Sequence, residues 1–598
     1  MNYKAPLNEI RFVLNDVLNV QQTFAQLPSG AQASTELVDA VLEEAAKFCE
    51  QILLPTNAIG DREGCHFDAT SKAVTVPEAF KAAYRQYVDG GWMGLCGDPK
   101  YGGQGMPETI GYAIKELIES CNVAWGTYPL LSLGAVDAFM HHGEEWQRAA
   151  FVPKILAGEW TGTMCLTEPH CGSDLGLLKT KAEPQADGSY KITGTKIFIT
   201  AGEHDMSANI IHLVLARLPD APAGTKGISM FIVPKFKVAR DGSLGVRNAI
   251  AAGSIEHKMG LKGSATCVMN LDGAEGYLIG QANRGLNAMF TMMNTARLGV
   301  GVQGLGLIEI TFQNALAYAK DRLQMRSLSG PKRPDKPADP LLVHPDIRRM
   351  ILTQKAIVQA GRALCLYSAS LVDCAFTHPD ADARKRADEL LSFLTPISKG
   401  FMTEAAIECT YNGVQVLGGH GYIAEWGQEQ FARDARITTI YEGTTQIQAL
   451  DLLARKVLAT QGVGMKHFAA EIQAFLEQHT TRPELAEFIP LFLEASKDWQ
   501  ALTFEIASQA AKDPEQIGAA AVDYLFYSSY VTLAYFWLRL VEAAYRPGGG
   551  HSDAFKQAKT VTARFYFHRL LPRRLAHAAA IRTGSASLMG FEAELFDA

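Results

Sequence analysis

An α+β fold, mostly α, follows from three features of this 598-residue chain. Residues 36–160 carry apolar positions at three- and four-residue spacing, the period of an amphipathic helix. Residues 161–280 switch to short β-branched runs separated by turn residues, which read as antiparallel strands. From residue 281 onward the long helical pattern returns. The expected order is an N-terminal extension (1–35), an N-terminal helical domain (36–160), a middle antiparallel β domain (161–280), a C-terminal four-helix-bundle domain (281–460) and an additional C-terminal helical domain (461–598).

Each element has a local reason. Thr35–Leu53, Glu78–Gly90 and Glu108–Glu119 read as helices, interrupted by the glycine-rich breaks DGGWMG (89–94) and YGGQGMP (101–107). SYKITGTKIFITAG, NIIHLVLARL and GISMFIVPKF, starting at Ser189, Asn209 and Gly227, read as strands, and CVMNLDG (267–273) follows them. Residues 286–323, His344–Phe376, Ala383–Tyr411 and Thr445–Thr460 are the later helices. SLSGPKRPDKPADP (327–340) reads as a loop, and PGGGHSD (547–553) as a break. No strand leads into a GxGxxG turn, which disfavours a nicotinamide-binding Rossmann domain.

Composition narrows the class. A formal charge of −7 gives no global basic field for nucleic acid or anionic membrane. The ten cysteines form no CxxC pair, the pattern of thiols in a reducing, cytoplasmic setting rather than of a disulfide scaffold or a zinc site. The N-terminus, MNYKAPLNEIRF, lacks the basic start and apolar core of a signal peptide. YLFYSSYVTLAYFWL, between Asp523 and Arg539, is short for a bilayer span and carries hydroxyls, so it reads as a buried helix, with membrane contact at most peripheral.

Four segments concentrate groups that can do chemistry. RDARITTIYEGTTQIQALDLLARKV (433–457) places Glu442 in a short turn before an amphipathic helix. Two readings fit it: a poised base for a weakly acidic C–H proton, or a carboxylate that complements a helix dipole. MCLTEPHCGSDLGLLKT (164–180) crowds Thr167, Glu168, Gly172, Ser173 and Asp174 into one loop; it suits a flat heterocycle or a phosphate, and equally a polar turn. KIFITAG sets Phe198 and Thr200 two apart, on one strand face, suited to a flavin ring or to plain packing. QVLGGHGYIAEW (415–426) lets a backbone approach a ligand or simply ends a helix. Arg322 and Gln324, ending a long helix, can reach an anion or sit on a solvated face.

In this order, MCLTEPHCGS, KIFIT, HKMGLKGSATCVMNLDG (257–273), the Arg322 region, QVLGGHGY and RDARITTIYEGTTQIQ resemble the flavin-dependent acyl-CoA dehydrogenases over about residues 40–460. The length and the added C-terminal helices resemble the larger bacterial subgroup, which includes fatty acyl-CoA dehydrogenases of β-oxidation and 3-methylmercaptopropionyl-CoA dehydrogenases. The resemblance implies FAD, an acyl-CoA substrate, an electron-transfer flavoprotein as acceptor and a homodimer. It implies Glu442 as the base that removes the α-proton while the β-hydrogen leaves as hydride, giving a trans-2-enoyl-CoA. MMNTARLG (292–299), where some relatives hold the base instead, has no carboxylate.

Other roles follow from the same resemblance. Met164, Leu166, Thr167 and Ser173 match an isoalloxazine-binding loop, with Ser173 also near the CoA chain. Phe198 and Thr200 match the strand on the flavin. Arg322 matches a pyrophosphate ligand given by a neighbouring subunit, Gln415 and Gly419 the adenosine end, and Thr444 and Gln446 further FAD contacts. Asn294, Arg297 and Gly443 match substrate-side positions. The sequence departs from the family pattern at His170 and Cys171 within TEPHCGS, at Phe198 in place of Trp, at Asn294 in place of Asp, and in the insertion after Arg322. The expected substrate is a medium- to long-chain saturated acyl-CoA, with 3-methylmercaptopropionyl-CoA as the rival. An acyl-CoA oxidase and a nucleic-acid-binding relative are lesser alternatives, the latter resting only on ARFYFHRLLPRR (563–574).

Overall fold

The computed structural model describes residues 3–598. It is mostly helical, with one seven-stranded sheet. The chain forms two compact units, one of Met1–Glu43, Pro107–Ser120 and Val300–Ala598, the other of Glu44–Met106 and Cys121–Gly299.

The second unit holds the sheet. Ile228–Pro234 is buried along its whole length and Asn209–Arg217 up to its last residue, as uninterrupted apolar runs demand. The strand order is Ile250–Ile255, Thr266–Ile279, Tyr190–Thr200, Lys181–Pro184, Asn209–Arg217, Trp160–Cys165. Ile228–Pro234 pairs with both Thr266–Ile279 and Asn209–Arg217, so the pairing closes into a ring. Ile192, Ile199, Val214, Phe231, Cys267 and Met269 fill its core. Most pairs are antiparallel, as the alternation predicts. Trp160–Cys165 and Lys181–Pro184 instead meet Asn209–Arg217 in parallel, because the chain between Cys165 and Asn209 forms a crossover and not a tight hairpin. A two-residue hairpin, His66–Phe67 with Val74–Thr75, sits in a stretch that periodicity reads as helical.

In the first unit, Pro345–Thr377 packs along Ala381–Leu417, and Asp380 caps the second helix by accepting from the Asp382 N–H at 2.9 Å. The helix Gly285–Asp321 enters this unit at Val300. A Cβ at Gly304 would lie 2.6 Å from the Met402 carbonyl oxygen, so only glycine lets that helix approach Ala381–Leu417 so closely. Arg362, 1% exposed, joins three helices by ion pairs of 2.6 Å to both Glu116 and Glu309. The apolar run at 524–538 is the buried middle of Glu515–Tyr545, as expected. No helix among the described residues is long and apolar enough to cross a membrane. Leu7–Arg11 and its continuation Phe12–Val17 are bound to the late helices: Glu9 pairs with buried Lys559, Arg539 donates to the Val17 carbonyl at 2.8 Å and Arg546 to the Asp16 carbonyl at 2.6 Å.

Candidate active site

In the sheet-bearing unit, the TEPHCGS loop is fixed from behind by one buried ion pair. Lys196, with no exposed surface, sets its Nζ 2.9 Å from Glu168 Oε1 and 3.0 Å from the Leu166 carbonyl. Glu168 also accepts from the backbone of Lys179 and Thr180 and from the Thr180 hydroxyl. Burial pushes its carboxyl up, but Lys196 and these donors outweigh burial and hold it below the usual range. The Ile197 N–H donates to the Thr167 carbonyl at 2.9 Å, and Thr163 Oγ1 to the Thr200 carbonyl at 2.5 Å. Met164, Leu166, Thr167 and Thr200 are thereby brought together, with Ser173 exposed farther along the loop. Glu168, His170 and Cys171 come within 4.8 Å of one another. The Lys196 ammonium already supplies the counter-charge of that carboxylate, and Glu168 and Cys171 exchange backbone hydrogen bonds across the turn.

Phe198 is the unusual residue of this surface. It is 60% exposed and has φ +58°, the left-handed region. Two residues of its strand, Ile197 and Phe198, oppose Val268 alone, which makes a β-bulge. A non-glycine residue there costs about 1–2 kcal/mol. A bulge that turns a flat ring outward at that cost fits a flat aromatic ligand. Asn294, exposed, and Arg297, buried, come together on the helix Gly285–Asp321, with Arg297 Nη1 3.5 Å from Asn294 Oδ1.

In the first unit, Glu442 is half-buried and has φ +56°, followed by Gly443 at +87°. Three side chains hold this turn. Gln448 Nε2 donates to the Glu442 carbonyl at 3.0 Å, buried Lys399 donates to the Gly443 carbonyl at 2.7 Å, and the Tyr441 hydroxyl donates to Gln303. Thr444 caps the next helix, Thr445–Leu450, by accepting from the Ile447 N–H. Gln446 is exposed on its first turn.

Arg322 is exposed at the end of its helix, and the insertion after it is ordered: Asp339 accepts from the backbone of Ser327, Lys332 and Arg333. Those donors outweigh the buried position of its carboxyl and hold it down at about 2. One turn before Arg322, the Tyr318 hydroxyl meets His420 Nδ1 at 2.9 Å, which links the Arg322 helix end to the glycine loop. Gln415 is corrected from loop to helix, since Ala381–Leu417 runs past it before Gly418 turns at φ +61°. A Cβ at Gly419 would meet nothing within 4 Å, so the loop presents open backbone.

Sequence reading missed Lys196, Lys399, Gln448, Gln303 and Glu119. Lys196 left one trace, a lysine directly before the apolar run Ile197–Ile199. The others sit in helices, where a polar residue gives no positional signal.

Comparison with known proteins matches the profiles of the acyl-CoA dehydrogenase N-terminal domain over residues 35–159, the middle domain over 163–274 and the C-terminal domain over 283–458. An acetyl-CoA dehydrogenase C-terminal-like profile matches 468–592. The chain is 41% identical to the 3-methylmercaptopropionyl-CoA dehydrogenase of Ruegeria pomeroyi, over 98% of this chain and 99% of the relative. It is 33% identical to a butyryl-CoA dehydrogenase of Syntrophomonas wolfei, over 100% and 99%. Among solved structures, the acyl-CoA dehydrogenase of Bacillus anthracis complexed with FAD superposes with a TM-score of 0.75, at 20% identity, over 97% of this chain and 92% of that one.

Proposed function

The chain belongs to the acyl-CoA dehydrogenase family, and from that premise we propose that it oxidises a linear saturated acyl-CoA to the trans-2-enoyl-CoA with Glu442 as the base. The observation that carries the assignment is the held left-handed turn: a carboxylate kept at φ +56° by Gln448, Lys399 and Gln303 is a strained feature that packing alone does not call for.

The Glu442 carboxylate takes the α-proton of the thioester, and the electron pair left behind forms the α,β double bond as the β-hydrogen departs with its own pair. The Glu442 backbone N–H donates to the thioester oxygen, where negative charge develops. FAD held here would supply the hydride acceptor, with an electron-transfer flavoprotein as the onward electron acceptor. The loop Met164–Ser173, the outward ring of Phe198 and Thr200 bind the isoalloxazine. Arg322 of a neighbouring subunit in a homodimer, Gln415, Gly419, Thr444 and Gln446 bind the rest of the cofactor. Asn294, Arg297, Gly443 and Ser173 orient the substrate.

Two substrate readings remain in this class. Domain pattern and length fit a medium- to long-chain acyl-CoA and the short thioether alike. The 41%-identical relative, matched over nearly its full length, favours the short thioether 3-methylmercaptopropionyl-CoA, and we give it precedence. Steady-state turnover with butyryl-, octanoyl-, palmitoyl- and 3-methylmercaptopropionyl-CoA and a ferrocenium acceptor separates the two. Highest kcat/KM for the thioether supports the choice; highest for palmitoyl-CoA overturns it. Glu442→Gln keeps the yellow cofactor and slows flavin bleaching by substrate on the order of 10²–10⁴-fold. Bleaching at the wild-type rate would refute the base.

A further inference from the structure

Two buried side chains, Gln303 and Glu119, stand in line with the half-buried Tyr441 behind the turn that carries Glu442. The Tyr441 hydroxyl donates to Gln303 Oε1. This orients the Gln303 amide, whose Nε2 then faces Glu119 Oε1 at 3.4 Å. Gln303 has no exposed surface and Glu119 only 1%. The second Glu119 oxygen, Oε2, is buried with no hydrogen-bond partner.

A charged carboxylate with one long hydrogen bond and one bare oxygen is very costly away from water, and an uncharged carboxyl far less so. Burial accordingly pushes Glu119 up to about 8, against the opposing pull of Lys115 on its own helix and of the Gln303 amide on the facing one. The groups around Tyr441 at the other end of the line are Glu119, Glu442 and Asp434. The packing preserves the arrangement. A Cβ at Gly306 would lie 2.6 Å from the Ser120 nitrogen, so glycine there lets the helix Glu108–Cys121 approach the helix that carries Gln303.

We infer that Glu119 is a positioning residue for the reaction: it holds Gln303, Gln303 holds Tyr441, and this line fixes the turn from which Glu442 works. The inference rests on Glu442 being the base. Ionising Glu119 places a buried negative charge at the far end of the line and loosens the turn, so the rate of flavin bleaching falls as Glu119 loses its proton.

The test is stopped-flow bleaching of the FAD-loaded enzyme by acyl-CoA between about pH 6 and pH 9, for wild type, Glu119→Gln, Glu119→Ala and Glu442→Gln. Glu119→Gln cannot ionise and keeps an acceptor for Gln303. It should bleach within about twofold of wild type at neutral pH and lose the alkaline fall. Glu119→Ala should bleach about tenfold more slowly with substrate affinity unchanged. An alkaline fall that persists in Glu119→Gln, while Glu442→Gln is inert, overturns the inference and spares the base; that arm decides even if Glu119→Ala does not fold. Normal bleaching by Glu442→Gln overturns both.

Discussion

The side-chain amide of Gln448 donates a 3.0 Å hydrogen bond to the backbone carbonyl of Glu442. Gln448 is buried, so this bond orients the left-handed turn from one turn into the following helix. Gln448→Met keeps the shape and removes the donor. Bleaching of the flavin by acyl-CoA should slow about five- to tenfold, a loss of about 1 kcal/mol, with KM little changed. Stopped-flow at saturating substrate reads it, and an unchanged rate rejects the role.

Lys196→Met strips the partner from Glu168, a carboxylate that is itself 3% exposed. Breaking a buried pair by removing one member costs about 3–5 kcal/mol. Both the melting temperature and the flavin-to-protein absorbance ratio should fall, since the loop Leu166–Ser173 loses its anchor. Adding Glu168→Gln should recover part of the melting temperature. Equal melting of the single variant and wild type would show that the pair contributes nothing.

Asp373 caps the helix Glu108–Cys121, accepting from the backbone of Glu108 and Thr109 at 2.7 and 2.9 Å and from the Thr109 hydroxyl at 2.5 Å. Burial nevertheless pushes its carboxyl from 3.8 to about 6. The folded chain thus holds this proton more tightly than the unfolded one. The associated stability is present below the unfolded value and is lost as pH rises to about 6, by roughly 3 kcal/mol at most. Asp373→Asn does not titrate. Its melting temperature should gain on wild type as pH rises from about 4 to about 6, then run parallel; a constant difference across that window contradicts the shift.

Arg322→Ala removes an exposed guanidinium from the helix end that Tyr318 links to the glycine loop after Gln415. FAD retention through repeated ultrafiltration should weaken about tenfold, as for loss of a charge-assisted phosphate contact. An unchanged flavin-to-protein ratio counts against the assignment.

Periodicity made the helices and strands readable because each element buries one face, and that face writes itself into local spacing. Glu442 is legible as a candidate base because a lone carboxylate in YEG stands out against its neighbours. The residues that hold it are not. Gln303 and Glu119 lie 184 positions apart, and Lys399 and Gly443 44 apart, so their meeting is a property of helix packing. The bulge at Phe198 escaped for a different reason: its left-handed backbone normally calls for glycine, and the sequence shows an aromatic. The glycines after Gln415 signal a turn without fixing where it starts, and the helix continues through Leu417 until Gly418 stops it.

The pairing of Glu9 with Lys559 spans 550 positions of chain. During synthesis the segment Leu7–Val17 leaves the ribosome long before Lys559 is made. A ribosome stalled before the helix Asp553–Phe565 would hold a chain in which Arg539 and Arg546 can already grip the carbonyls of Val17 and Asp16, while Glu9 still lacks its cation.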